Sequence, residues 1–295
     1  MGFAQPTTSR AGESATYGSA ERFLSLLADS SRPPIPAHDI AVIVAHPDDE
    51  TVGCGAQLSR LDDATIIVLT DGAPRRLSAA QEHGCASVET YAMFRSHELC
   101  NALALARVRK RSIVELEFSD QTAALRLADL TRTIYRLVDA RHIRTVLTHA
   151  YEGGHPDHDA AAFAVHAAAE LKRRGGERLS IVEMPFYRAD GDNKWALQSF
   201  PAHCGPTAIT IRLTESERTL KRAMLAAHRT QRRTLSPFSS DFECFRCAPT
   251  YDFRTLPNAG QLLYERYDWG MTGEDWLRLT QTATRKLGLG DGPWA

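Results

Sequence analysis

Residues 40–50 read Ile40-Ala41-Val42-Ile43-Val44-Ala45-His46-Pro47-Asp48-Asp49-Glu50. The first six are apolar and largely β-branched, with no alternation of polar residues. A short run of that kind is a strand covered on both faces. It runs straight into a turn carrying one imidazole and three carboxylates. The same order recurs a hundred residues later, where Thr145–Thr148 is followed by Gly154-His155-Pro156-Asp157-His158-Asp159.

Three further strands of this type are expected at Ala64–Thr70, Ser112–Phe118 and Leu179–Met184. Between them lie amphipathic stretches that predict helices over about 53–60, 87–106, 122–141 and 159–173. Strand and helix in alternation predict a three-layer, Rossmann-like α/β fold with a mostly parallel sheet and right-handed crossovers. Residues 1–37 read as an N-terminal arm, 1–18, and a short helix, Ala20–Ala28, stopped by Ser31-Arg32-Pro33-Pro34-Ile35-Pro36. Residues 38–295 then read as one domain, its last part, 233–295, an irregular extension packed on it. Within that stretch a strand is expected at Ala208–Leu213 and a helix at Glu215–Arg229. Residues 234–270 are expected to be irregular, and a final helix spans Gly273–Leu287 behind the acidic first turn of Glu274 and Asp275.

Composition narrows the function. The chain has 295 residues with 35 Lys plus Arg against 36 Asp plus Glu, a net charge of −1. That balance supplies no general attraction to nucleic acid or to an anionic membrane. The longest apolar runs, Ile40–Ala45 and Ile66–Leu69, fall far short of the roughly 20 residues of a membrane span. Met1–Tyr17 lacks the apolar segment of a signal peptide, so a cytoplasmic location is expected. The six cysteines accordingly read as thiols. Cys244 and Cys247 form a lone C-x-x-C, which lacks the further ligands a structural zinc requires.

In a parallel sheet both His-Pro-Asp turns leave the carboxyl edge, where α/β folds place their ligands. Two imidazoles and a carboxylate brought together there suit zinc and leave a fourth position open. A second carboxylate can then act as general base toward water. Either cluster alone could be carboxylates capping a helix; both at matching strand ends favour metal chemistry. A dinucleotide site is disfavoured. Gly53-Cys54-Gly55 lacks the third glycine of the fingerprint and lies well past the strand, and the turn is filled by carboxylates that would repel a pyrophosphate. Those glycines instead suit a helix packed closely on the sheet.

Taken together, the motifs resemble the PIG-L/LmbE family of zinc-dependent N-deacetylases. The likeness rests on Ala45–Glu50 and His155-Pro156-Asp157-His158. It continues in Leu69-Thr70-Asp71-Gly72, in Arg95-x-x-Glu98 and in His228-Arg229-Thr230-Gln231. The resemblance implies His46, Asp49 and His158 as ligands of zinc or a similar divalent metal, and Asp48 as general base. It makes His155 a cation that stabilises the oxyanion, oriented and kept protonated by Asp157. Arg95 resembles a substrate-binding arginine, although an ion pair with Glu98 would also explain it. Asp71 is expected to face the cleft and Tyr151 to assist the oxyanion. The remaining histidines, His149 and His166 among them, are left as structural. The function implied is removal of an N-acyl group, acetyl first, from a small N-acetylated sugar or sugar conjugate. The alternatives are an amidase acting on a thiol conjugate or natural-product intermediate, and a non-catalytic sugar-binding module.

Overall fold

The computed structural model describes residues 19–191, 194–201, 205–267, 269–290 and 292–294. The expected arm, 1–18, and Cys204 lie outside the described residues. Helix α1, Ala20–Ala28, is capped by Ser19, whose side chain accepts from the Arg22 amide. The strands follow as β1 (Ile40–Val44), β2 (Thr65–Thr70), β3 (Ile113–Phe118), β4 (Thr145–His149) and β5 (Ser180–Met184). The helices between them are α2 (Asp49–Leu58), α3 (Val88–Leu105), α4 (Leu127–Ala140) and α5 (Pro156–Arg174). Strand β6 (Ile209–Arg212), helix α6 (Glu215–Ala227), strand β7 (Phe242–Cys247) and helix α7 (Gly273–Lys286) complete the fold.

The sheet order is β3-β2-β1-β4-β5-β7-β6. Strands β1 to β5 are parallel, whereas β7 runs antiparallel to β5 and β6 antiparallel to β7. Side chains alternate across the sheet because successive residues of a strand point to opposite faces. Ala41, Ile43, Ile67 and Leu69 therefore join the core beneath α4, α5 and α7. Val42, Val44, Ile66 and Val68 join the other, beneath α1, α2, α3 and α6. The fold is the expected three-layer α/β architecture. Among the described residues no helix is long and apolar enough to cross a membrane.

The expected irregular stretch 234–270 is not irregular throughout, since it contains β7. That strand hides from a search for apolar runs because it carries Glu243 and Arg246, both buried. Glu243 pairs with Lys221 of α6, and Arg246 with Glu183 of β5. Cys244 and Cys247 lie on this strand three residues apart, so their side chains leave opposite faces. Strand β3 also departs from the expectation of burial on both faces. It is an edge strand, half-buried over most of its length.

Helix α2 is bent. Cys54 sits at φ −144°, ψ 20°, outside helical geometry. Gly53 explains the close approach to the sheet, because a Cβ there would stand 2.7 Å from the Met184 sulfur. Two backbone groups flanking the bend find partners in the Lys221–Glu243 pair. The Lys221 Nζ donates to the Val52 carbonyl at 2.8 Å, and the Glu243 carboxylate accepts from the Ala56 amide at 2.9 Å. In an unbroken helix those two backbone groups would bond to each other.

Candidate metal centre

Strands β1 and β4 are neighbours, and the chain turns to opposite sides of the sheet after them. They flank the topological switch point, where loops part and leave a crevice. The β1–α2 and β4–α5 turns open into that crevice, which is how residues over a hundred positions apart come together. Asp49 and His158 both stand in the first turn of their helices. Pro156 starts α5, suited to a position whose amide needs no partner. Gly154 is required just before it, since a Cβ there would fall 2.1 Å from the Tyr187 carbonyl oxygen.

Three donors converge. His46 Nδ1 lies 3.2 Å from His158 Nε2 and 3.2 Å from one Asp49 oxygen, and His158 Nε2 lies 3.4 Å from the other. Donors bound about 2.0–2.1 Å from a tetrahedral zinc stand about 3.3 Å from one another. The spacing fits such a metal. So does the charge, because Asp48, Asp49, Asp120 and Asp157 are all buried around this point. Among the described residues a second donor group shares His46 with Asp120 and His155.

Asp48 adjoins the three donors. Its backbone takes φ 133°, a region that L residues seldom adopt and that typically costs of order 1–3 kcal/mol. The Glu50 carboxylate accepts from the Asp48 amide at 3.0 Å and thereby holds this conformation. Burial pushes the Asp48 carboxyl up to about 7, with the Arg95 guanidinium opposing the shift. A carboxylate poised near neutrality suits proton transfer.

Arg95 is not a surface ion-pair partner of Glu98; it lines the cavity over the metal donors, with its guanidinium turned to the backbone and to Asp48. It is buried, donating to the Gly72 and Pro47 carbonyls at 2.6 Å each and to Asp48 at 3.1 Å. Glu98 instead accepts from the Thr230 amide and hydroxyl. His228 stands 3.6 Å from Glu50, and Gln231 donates to the Tyr91 hydroxyl. The Arg95-x-x-Glu98 and His228–Gln231 motifs thus form a clamp behind the β1–α2 turn.

The roles expected of His155 and Asp157 need correction. The Asp157 carboxylate accepts from the Gln121 and Ala123 amides and lies 3.5 Å from His46, not against His155. It is the Asp157 backbone amide that meets His155, donating to Nδ1 at 3.1 Å. Burial, then the neighbouring His46 and His158, push the His155 pKa well below the ordinary histidine value. With Nδ1 accepting from the Asp157 amide, Nε2 is the ring nitrogen left to donate. Tyr151 does not reach the site, because its hydroxyl donates to the Thr255 carbonyl and accepts from Trp276 inside the core. Asp71 pairs with Arg75 and accepts from the Ala73 and Asp120 amides, organising the β2 and β3 turns.

Two residues at the centre escape the sequence reading. Asp120, just beyond β3, lies 3.2 Å from His46 Nε2. Burial would raise its pKa, but His46 dominates and holds it well below the usual carboxylate range. A carboxylate closing a strand at the same sheet edge as the two motifs was the available signal. His149, the last residue of β4, stacks on His158 with ring centroids 4.1 Å apart and accepts from the Ala45 amide at 2.9 Å. Nothing in its local sequence marks it.

The centre opens into a cavity of about 260 Å³. His46, Asp48, Asp49, Asp120, His155 and His158 line its floor, and Tyr187, Gln231, Leu235, Phe238 and Trp269 line its walls. A larger cavity, about 510 Å³, lies beside α7 and holds none of the metal donors.

Residues 41–169 match the family described as PIG-L, GlcNAc-PI de-N-acetylase. This segment is a PIG-L family domain. The match spans β1 to α5, and so takes in both motif turns and the switch point between them. It marks the domain as one of the hydrolytic N-deacetylases. The wall residues Tyr187, Gln231, Leu235, Phe238 and Trp269 all fall beyond the matched segment.

Similar folds occur in the zinc-inhibited form of teicoplanin deacetylase Orf2 (16% identity, TM-score 0.53, 70% of this chain and 96% of that one). The A40926 pseudoaglycone deacetylase Dbv21 is comparable (20%, 0.53, 70% and 96%). So is N,N'-diacetylchitobiose deacetylase from Pyrococcus horikoshii (18%, 0.52, 78% and 93%). At these identities the likeness is one of fold. No curated protein matches the chain.

Proposed function

We propose that this chain is a zinc-dependent N-deacetylase that removes the acetyl group from an N-acetylated sugar or sugar conjugate. The observation that carries the reading is the convergence of His46 Nδ1 and His158 Nε2, 3.2 Å apart and each within 3.4 Å of an Asp49 oxygen, with the buried Asp48 carboxylate beside them. A sugar-binding module would have no use for a strained carboxylate held next to a metal site. The sugar is supported by the similar folds, which are deacetylases of teicoplanin, of A40926 pseudoaglycone and of N,N'-diacetylchitobiose.

Bound at His46, Asp49 and His158, a divalent metal would supply Lewis acidity to water and to the amide carbonyl. Asp48 takes the proton of the attacking water and returns one to the departing amine. The His155 Nε2–H donates to the oxygen on which charge grows. Arg95 and Glu50 fix Asp48 so that its reach does not depend on a mobile side chain.

The test is acetate release from N-acetylated sugars by zinc-loaded wild type and Asp48→Asn. General-base catalysis contributes about 10²- to 10⁴-fold, so the variant should lose that much in kcat with little change in KM. A metal-replete variant with near-normal kcat would remove Asp48 from the chemistry.

A further inference from the structure

An unbroken run of aromatic rings leads from the metal centre to the surface. Trp269 packs on His155 with centroids 4.7 Å apart and stacks on Tyr267 at 5.0 Å. Tyr267 meets Trp195 edge to face at 5.9 Å, and Trp195 stacks on Tyr187, which lines the cavity, at 5.5 Å. The rings come from two places, a short hairpin of Tyr187–Ala189 and Trp195–Leu197, and the segment ahead of α7. Both lie beyond the residues matched to the family. The outer pair is open to water, Trp195 and Tyr267 each being 42% exposed.

Trp195 and Tyr267 each stack one face on a ring of the cavity wall, Tyr187 and Trp269 respectively, and leave the remainder open to water just outside the cavity. They form two nearly perpendicular walls, Trp195 and Tyr267 standing at 79°. A corner of this kind suits a rigid ring with one apolar face and hydroxyl edges, since each aromatic also carries a polar N–H or O–H at its rim. A long acyl chain would fit worse, because an open platform leaves half of its apolar surface in water.

We propose that Trp195 and Tyr267 form a subsite for a second pyranose, the ring glycosidically joined to the acetamido sugar whose amide sits over the metal donors. This rests on the reading of the chain as a sugar N-deacetylase and specifies its substrate as at least a disaccharide. Trp195 and Tyr267 are specificity-determining residues with no part in the bond cleavage.

The test compares N-acetylglucosamine with N,N'-diacetylchitobiose on zinc-loaded protein. Trp195→Ala and Tyr267→Ala should each lower kcat/KM for the disaccharide by about 3- to 10-fold, the range of a single aromatic contact, and leave the monosaccharide unchanged. Trp195→Phe should restore most of the loss, which a merely structural role would not require. Equal falls on both sugars, or none on either, overturn the proposal. Binding is read separately by tryptophan fluorescence of zinc-loaded Asp48→Asn titrated with chitobiose, with and without Trp195→Phe. A response that depends on Trp195 supports the subsite even if the wild type releases no acetate, a result that would refute the deacetylase reading alone. No saturable response overturns the subsite.

Discussion

Replacing Lys221 with Met tests how the bent helix behind the metal centre is held. Lys221 is fully buried on α6, and its ammonium touches Glu243 Oε1 at 2.9 Å and the Val52 carbonyl at 2.8 Å. Methionine has similar volume and fills the same space. What remains is a buried Glu243 without its cation and a Val52 carbonyl without its donor. Removing one partner of a buried pair costs about 3–5 kcal/mol, chiefly because the other charge stays buried. At roughly 2–4 °C per kcal/mol for chains a little shorter than this one, Tm should fall by roughly 10 °C. Adding Glu243→Gln removes the stranded charge while its amide oxygen can still accept from Ala56. The double variant should therefore recover part of the loss, what remains being the orphaned Val52 carbonyl and, in the place of Glu243 Oε2, a buried amide NH2 without an acceptor. Urea unfolding followed by circular dichroism measures all three proteins, with equal m-values confirming that the same transition is compared. A Lys221→Met protein within 1 kcal/mol of wild type on the about 3–5 kcal/mol scale expected here would refute the reasoning. So would a double variant less stable than the single.

Two further outcomes follow from buried histidines. His149→Phe keeps the stack on His158 but leaves the Ala45 amide without an acceptor; stability should fall by about 1–3 kcal/mol and zinc affinity by roughly 10- to 100-fold, and a zinc titration with unchanged affinity would show that His149 does not position the centre. His166, whose two ring nitrogens are buried without hydrogen bonds, is pushed by burial down to about 3. Because protons then bind the unfolded chain preferentially, its contribution is complete above about 6.5 and shrinks as pH falls toward 3, so wild type should lose about 2 kcal/mol more than His166→Met between pH 6 and pH 4; parallel pH profiles of unfolding free energy would contradict this.

Much of the architecture is legible from residues that need only their neighbours. Strands β1 and β2 are apolar on both faces, and β4 and β5 keep an apolar centre between Thr145, Thr148 and His149 and between Ser180 and Glu183, which is enough to identify a covered parallel sheet. Strand β7 is not legible, because its Glu243 and Arg246 are compatible with burial only through partners 22 and 63 residues away. The centre divides in the same way. His46, Asp49, His155 and His158 stand in compact motifs at strand ends, and the structure brings them together. His149 and Asp120 belong to the centre through contacts across the switch point. Tyr151 misleads for the opposite reason: it is close to the second motif in sequence, but the turn directs its ring into the core, toward Trp276. The cavity walls are furthest from view, since Trp269 gains its meaning only where the segment ahead of α7 returns to His155.

The account stands on one claim, that His46, Asp49 and His158 hold a catalytic metal that Asp48 does not help to bind. Zinc titration of metal-stripped wild type, Asp48→Asn and His158→Ala, with stoichiometry checked by elemental analysis, tests it most directly. Wild type and Asp48→Asn should each take up one zinc with similar affinity, while His158→Ala should bind far more weakly, having two of its three donors left. A wild type that binds no zinc at this site, or a His158→Ala protein with undiminished affinity, would contradict the claim.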